Sequence, residues 1–76
     1  MNVIVKAPLK TNDIQQLIDG TTSEGYTFTL LERAGISMEF EVEAEDGAIK
    51  DPVDVVKAII RSTSYGSALY FSVVKK

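Results

Sequence analysis

The sequence predicts a two-layer domain of the α+β class, in which two helices cover one face of an antiparallel sheet. Residues 36–45 alternate apolar and polar side chains without interruption, which is typical of a half-buried strand. Residues 14–18 and 53–60 carry apolar side chains at helical spacing. Two further β-rich runs, Asn2–Ala7 and Ala68–Val74, lie outside these segments.

A hairpin over residues 26–45 forms the centre of the predicted sheet. One face of its second strand carries Ile36, Met38, Phe40, Val42 and Ala44, and the other face carries Ser37, Glu39, Glu41, Glu43 and Glu45. A two-residue loop at Ala34-Gly35 would mix these faces. A three-residue loop, Arg33–Gly35, pairs Phe28 with Phe40 and keeps the apolar residues together. Since Gly35 accepts the left-handed conformation that ends such loops, we expect the three-residue loop.

The first helix is predicted over about Asp13 to Asp19. Asn12 and Gln15 fit a capping box, with Thr11 as the rival cap. Gly20 is a natural stop after the helix, and the segment 21–25 reads as a polar loop.

The second helix has the clearest start in the chain. Asp51 is the expected N-cap and Pro52 the first helical residue. The expected buried stripe consists of Val53, Val56, Ile59, Ile60 and Thr63, widened by Val55. Gly66 is expected to end this segment before the last strand.

These elements follow one another in the order β-α-β-β-α-β. With right-handed crossovers, this order gives a sheet with spatial order 4-1-3-2 and both helices on one face. The arrangement resembles the ferredoxin-like fold, and the resemblance covers residues 1–76 as a single domain. It is a resemblance of architecture without a motif: Cys-x-x-Cys, an Asp-x-Pro-Gly turn after the first strand and the aromatic RNP pattern are all missing. The fold therefore implies no particular function.

Composition narrows the possible chemistry. Cysteine and histidine are absent, so disulfides, structural zinc and haem ligation are excluded, and no catalytic motif remains to indicate an enzyme. The segment 39–54 holds seven carboxylates and one lysine, which disfavours nucleic acid as a partner. Without a charged leader or a long apolar run, we expect a cytoplasmic protein with no membrane segment. No cofactor is expected.

One end of the predicted sheet gathers the loops 7–12, 32–36 and 64–68. The candidate anion ligands there are Lys10, Thr11, Asn12, Arg33, Arg61 and Ser64. Cations near a helix amino end suit a phosphate or carboxylate. Asp13 and Glu32 lie at the same end and partly cancel this charge. An anion sensor is therefore the alternative function.

The other candidate site is the open sheet face. Glutamates at alternate strand positions lie about 6.5–7 Å apart, too far to converge on one cation, so we expect a solvated face and no metal. We expect Lys6 to relieve some of their repulsion and the tail 75–76 to be solvated. The same face is expected to carry Ile4, Leu31, Tyr70 and Val74. Such an apolar patch indicates a protein partner, either a second copy of the chain or another protein. The leading prediction is a non-catalytic interaction or regulatory module that self-associates through this face or through an edge strand.

Overall fold

Two helices and five strands make up the computed structural model, which describes residues 1–76. In chain order they are β1 (Asn2–Lys6), α1 (Thr11–Ile18), β2 (Thr22–Ser23), β3 (Tyr26–Ala34), β4 (Ser37–Ala44), α2 (Pro52–Arg61) and β5 (Ser72–Lys75). All strands belong to one antiparallel sheet with the order β2-β3-β4-β1-β5. The predicted α+β class, with two helices and an antiparallel sheet, is confirmed.

One cluster of apolar side chains forms the core. Its buried members are Val3, Val5, Ala7, Ile14, Ile18, Tyr26, Phe28, Met38, Phe40, Val42, Val55, Val56, Ile60 and Val73. Both helices and one face of the sheet contribute to this cluster, because the apolar positions of β1, β3 and β4 alternate with polar ones. Glu41 and Glu43 on the opposite face are exposed, as the alternation predicts.

The start of α2 follows the predicted capping pattern. The Asp51 carboxylate accepts a hydrogen bond from the backbone N–H of Val53 at 2.9 Å, with Pro52 as the first helical residue. This bond satisfies one of the free amides of the first turn. The buried face of α2 is centred on Val55, Val56 and Ile60. The predicted buried stripe was therefore partly wrong, since Val53, Ile59 and Thr63 are only half-buried.

The predicted start of α1 was wrong. The helix begins at Thr11, and Lys10 occupies the N-cap position with φ 59° and no side-chain cap. The Thr11 hydroxyl donates to the Ala7 carbonyl at 2.6 Å, so it bonds back to the residue that follows β1. The Asn12 side chain does not cap the helix, because its amide oxygen accepts a hydrogen bond from Arg33.

The predicted register of the central hairpin was also wrong. Leu30 lies opposite Phe40, and the tip pairs Ala34 with Ser37, which leaves a two-residue loop. Gly35 has φ 62° at the first loop position, where a type II′ turn favours glycine. A bulge at Leu31 absorbs the extra residue and reverses the alternation beyond it. Before the bulge, from Tyr26 to Leu30, the apolar residues of β3 therefore still lie opposite apolar residues of β4.

The segment 21–25 is not the predicted loop, because it forms β2 and a tight turn into β3. Glu24 and Gly25 have φ of 53° and 82°, the double left-handed conformation of a type I′ hairpin. The last strand starts later than predicted, at Ser72 instead of Ala68. The first strand ends at Lys6, one residue before the predicted end. Residues 69 and 71 still pack against the core, in phase with Val73.

Candidate functional site

The open face of the sheet is the face turned away from the core cluster, and Ile4 lies on it in the middle of β1. Ile4 is paired with Val74 across β1 and β5 and with Glu39 across β1 and β4. Ile4 is half-buried, whereas 50% of Val74 is exposed. The structure therefore brings together two of the four predicted apolar residues in one uncovered patch.

The other two residues predicted for this patch lie elsewhere. Leu31 is the bulged residue of β3 and is 52% exposed. Tyr70 precedes β5 and is 83% exposed. Neither is paired with β1, so the contiguous patch that we predicted is reduced to Ile4 and Val74.

Glu39 beside this patch is held by two donors. Lys76 Nζ lies 2.9 Å from Oε1, and Asn2 Nδ2 donates to Oε2 at 2.7 Å. The Lys76 hydrogen bond, followed by that of Asn2, lowers the pKa of Glu39 below its usual range. The same contact raises the pKa of Lys76. The residues 75–76 are therefore not a solvated tail, since Lys75 also pairs with Asp51, at 3.2 Å.

The contact between Glu39 and Lys76 gives the stability of the domain a predictable pH dependence. The contribution of Glu39 is complete above its usual pKa of 4.5 and is lost progressively as the pH falls towards the lowered pKa of the folded state. That of Lys76 is complete below 10.5 and is lost as the pH rises through its raised pKa. We therefore expect the free energy of unfolding, measured by urea denaturation, to fall more between pH 7 and pH 3 for wild type than for Glu39→Gln.

Glu43→Gln is the matched control for this experiment. Glu43 lies on the same strand and face, but its side chain makes no hydrogen bond or ion pair. This variant should retain the pH dependence of wild type. Equal losses for wild type and Glu39→Gln would contradict the prediction.

A shallow depression of about 150 Å³ lies next to Ile4. Its other lining residues are Glu32, Ala34, Ser37 and Glu39. Glu32 reaches this face because the bulge reverses the alternation, which brings it opposite Glu39. No group of three or more acidic side chains is close enough to hold a metal ion.

Charge is distributed unevenly over the open face. The β1 and β5 half carries Lys6 and also Lys76, which follows β5. The β3 and β4 half carries Glu32, Glu41 and Glu43, in addition to the neutralised Glu39. Because Lys76 and Glu39 compensate each other, Lys6 is the unpaired cation of one half, and the unpaired carboxylates lie on the other half.

The predicted anion site does not form a shared cluster of cations. Arg33 donates to the side-chain oxygens of Asn12 and Gln15, on α1. The Arg61 guanidinium lies 5.9 Å from the ring centre of Phe71. The two arginines thus have separate structural partners.

The remaining predicted anion ligands also differ in their contacts. Lys10 Nζ lies 5.8 Å from the ring centre of Tyr65 and 3.9 Å from an Asp13 oxygen. The Thr11 hydroxyl is occupied by Ala7, and Ser64 is an exposed residue of the turns after α2. Of the three predicted cations, Lys10 directly precedes α1 and Arg33 contacts its first turn, whereas Arg61 packs over Phe71.

A groove beside Lys10 was missed by the sequence reasoning. It encloses about 290 Å³ and is lined by Leu9, Lys10, Tyr65, Ala68 and Leu69. Leu9 is a large aliphatic residue of the loop between β1 and α1, and it is 69% exposed to solvent. The predicted topology had placed the loops 7–12 and 64–68 at the same end of the sheet, and the exposed Leu9 was the further signal in the sequence.

Comparisons with known proteins do not assign a function. No family model, no curated protein and no solved structure matches this chain. Neither of the two helices has the length and apolar character needed to cross a membrane. The function is therefore argued from the residues themselves.

Proposed function

We propose that this chain is a small, non-catalytic cytoplasmic module of ferredoxin-like layout that associates with a second copy through its open sheet face. The four longer strands run in the order β3-β4-β1-β5, and both helices contribute to one core, which supports this layout. The observation that carries the proposal is the uncovered pair Ile4 and Val74 beside a neutralised Glu39. Covering apolar side chains removes them from water, a gain that matters for so small a domain.

The face is a better association surface than either edge of the sheet. β2 has only two residues, and next to it the Asp19 carboxylate accepts a hydrogen bond from the N–H of Leu30 at 2.9 Å. β5 has four residues and ends in a lysine. Short edge strands, side-chain cover and lysines all oppose the pairing of edges between chains. Self-association through an edge strand is therefore the less favoured form of the proposal.

The charge pattern favours a second copy as the partner. A two-fold axis parallel to the strands, between β1 and β4, would set the half that carries Lys6 in each copy against the half that carries the unpaired carboxylates in the other. Lys6 of one copy would then approach the side that carries Glu32 and Glu41 of its partner. Complementary charges favour this orientation and make the association sensitive to salt.

Sedimentation velocity tests the proposal. We expect wild type to dimerise with rising concentration and Val74→Asp to remain monomeric, because a carboxylate would be buried in the apolar patch without a partner. Added salt should weaken the wild-type dimer. Far-UV circular dichroism checks that the variant is folded.

Ile49→Asp is the matched control for self-association. Ile49 is 91% exposed and precedes α2, away from the open face. This variant should dimerise as wild type does. A wild-type protein that stays monomeric up to its solubility limit, or a Val74→Asp variant that still dimerises, would end the proposal.

A second candidate function is an anion sensor at the end that carries Lys10, Arg33 and Arg61. The observation that favours it is the position of two cations at the start of α1: Lys10 is its N-cap residue, with no side-chain cap, and Arg33 donates to Asn12 in its first turn. A helix amino end attracts anions. Thr11, Asn12 and Ser64 would stand around such a ligand.

A further inference from the structure

The groove beside Lys10 combines an apolar wall with a single cation. Tyr65 and Leu69 are partly buried and packed against the core, so the floor of the groove is fixed by the fold. Leu9 forms the exposed side wall. The volume of about 290 Å³ lies close to the lower limit, ~300 Å³, of sites that hold small molecules.

Lys10 is the only charged residue that lines this groove, and the amino end of α1 follows it directly. Lys10 occupies the N-cap position of that helix. The backbone amides of Thr11, Asn12 and Asp13 have no acceptor within the chain. Free amides, the helix dipole and an ammonium group all favour a negative charge at that end.

We propose that this groove binds a small amphipathic anion, with an apolar body of aliphatic or aromatic carbon and one terminal carboxylate or phosphate. The apolar body would lie on Tyr65, Ala68 and Leu69, and the anionic group would face Lys10 and the first turn of α1. This proposal deepens the anion-sensor candidate, on which it rests, and is independent of self-association. It replaces the shared cluster of Lys10, Arg33 and Arg61 by Lys10 alone.

Asp13 is the group that opposes anion binding at this site. Its carboxylate lies 3.9 Å from Lys10 Nζ, and both side chains are more than half exposed. An ion pair of that geometry is weak, so Lys10 remains able to bind a ligand. Asp13→Asn should therefore increase the affinity for the anion.

Amide chemical shifts with three probes test the proposal: octanoate below its micelle concentration, octan-1-ol and inorganic phosphate. Octanoate should shift residues 9–13 and 65–69. Octan-1-ol, which has the same chain without the charge, should bind about three- to tenfold more weakly, the range expected for one exposed ion pair and a helix dipole. Lys10→Gln should lower the octanoate affinity to that of the alcohol.

Two further variants separate the apolar wall from general surface charge. Leu9→Ser should weaken octanoate and octan-1-ol alike, because Leu9 is an exposed wall residue whose loss does not disturb the core. Lys50→Gln is the control, since Lys50 pairs with Glu24 before α2 and is not part of the groove. It should leave both affinities unchanged.

Each other outcome overturns the proposal in a different way. Phosphate shifts at residues 9–13 as large as those of octanoate would support the anion sensor without the groove. Shifts confined to Ile4 and Val74 would show that octanoate binds the apolar residues of the open face and not the groove. An absence of shifts with all three probes would contradict both the groove and the anion sensor.

Discussion

Replacing Phe40 by alanine should lower the free energy of unfolding by about 3–5 kcal/mol, the usual cost of removing a buried aromatic ring. Phe40 is fully buried on β4, with Leu30 opposite it on β3 and Val3 opposite it on β1. It thus links the two halves of the sheet under the helices. A domain of 76 residues has a total stability of roughly 4–11 kcal/mol, so this variant should lose between a quarter and all of its stability, and it should unfold at room temperature only if wild type lies at the low end of this range.

Urea denaturation followed by circular dichroism measures this loss. Glu41→Ala is the control, because Glu41 is the next residue on the strand and lies exposed on the opposite face. Its effect should stay within about 0.5 kcal/mol. Both variants are compared at two protein concentrations, since dimerisation would add to apparent stability. Equal losses for Phe40→Ala and Glu41→Ala would contradict the assignment of the core face.

The features that could be predicted from sequence are those fixed by local patterns. The alternation from Ser37 to Glu43 places Met38, Phe40 and Val42 in the core whatever the strand pairs with. Asp51 and Pro52 are enough to locate the start of α2, because the cap bonds to the amide of Val53, only two residues further along the chain.

The features that could not be predicted depend on distant partners or on strained backbone. The adjacent residues Leu30 and Leu31 fit either phase of a strand, so only pairing with β4 decides that a bulge follows Leu30. Glu24 has a left-handed conformation that is uncommon for glutamate, so the turn between β2 and β3 has no sequence signal beyond Gly25.

The candidate sites show the same division. Ile4 and Val74 were expected to be neighbours, because strand order and alternation are enough to place them together. The contact between Glu39 and Lys76 was not expected, since it depends on where the end of β5 lies relative to β4. The groove joins Leu9 to a segment more than fifty residues later. The predicted topology brought the loops 7–12 and 64–68 to the same end of the sheet, but it did not predict that their apolar side chains would line a groove.

Replacing Gly66 by alanine should lower the free energy of unfolding by about 3 kcal/mol, the upper part of the usual range for overpacking a core. A Cβ atom at this position would lie 2.0 Å from the carbonyl oxygen of Ile60 and 2.8 Å from Cα of Arg61. These are backbone atoms at the end of α2, so a side-chain rotation cannot relieve the clash. Gly66 is also buried, and its N–H donates to the Thr63 carbonyl at 3.2 Å.

Two controls separate this clash from other effects of the Gly66 substitution. Gly20→Ala tests backbone strain alone, because Gly20 has φ 79° with no atom near an added Cβ, and it should cost about 1–2 kcal/mol. Ser67→Ala, at the exposed neighbouring residue, should have almost no effect. Since Tyr65 and Ala68 lie on either side of this position, Gly66→Ala should also weaken octanoate binding in the fraction that remains folded. A Gly66→Ala protein as stable as Ser67→Ala would contradict the close packing of this turn against α2, and with it the fixed floor of the groove.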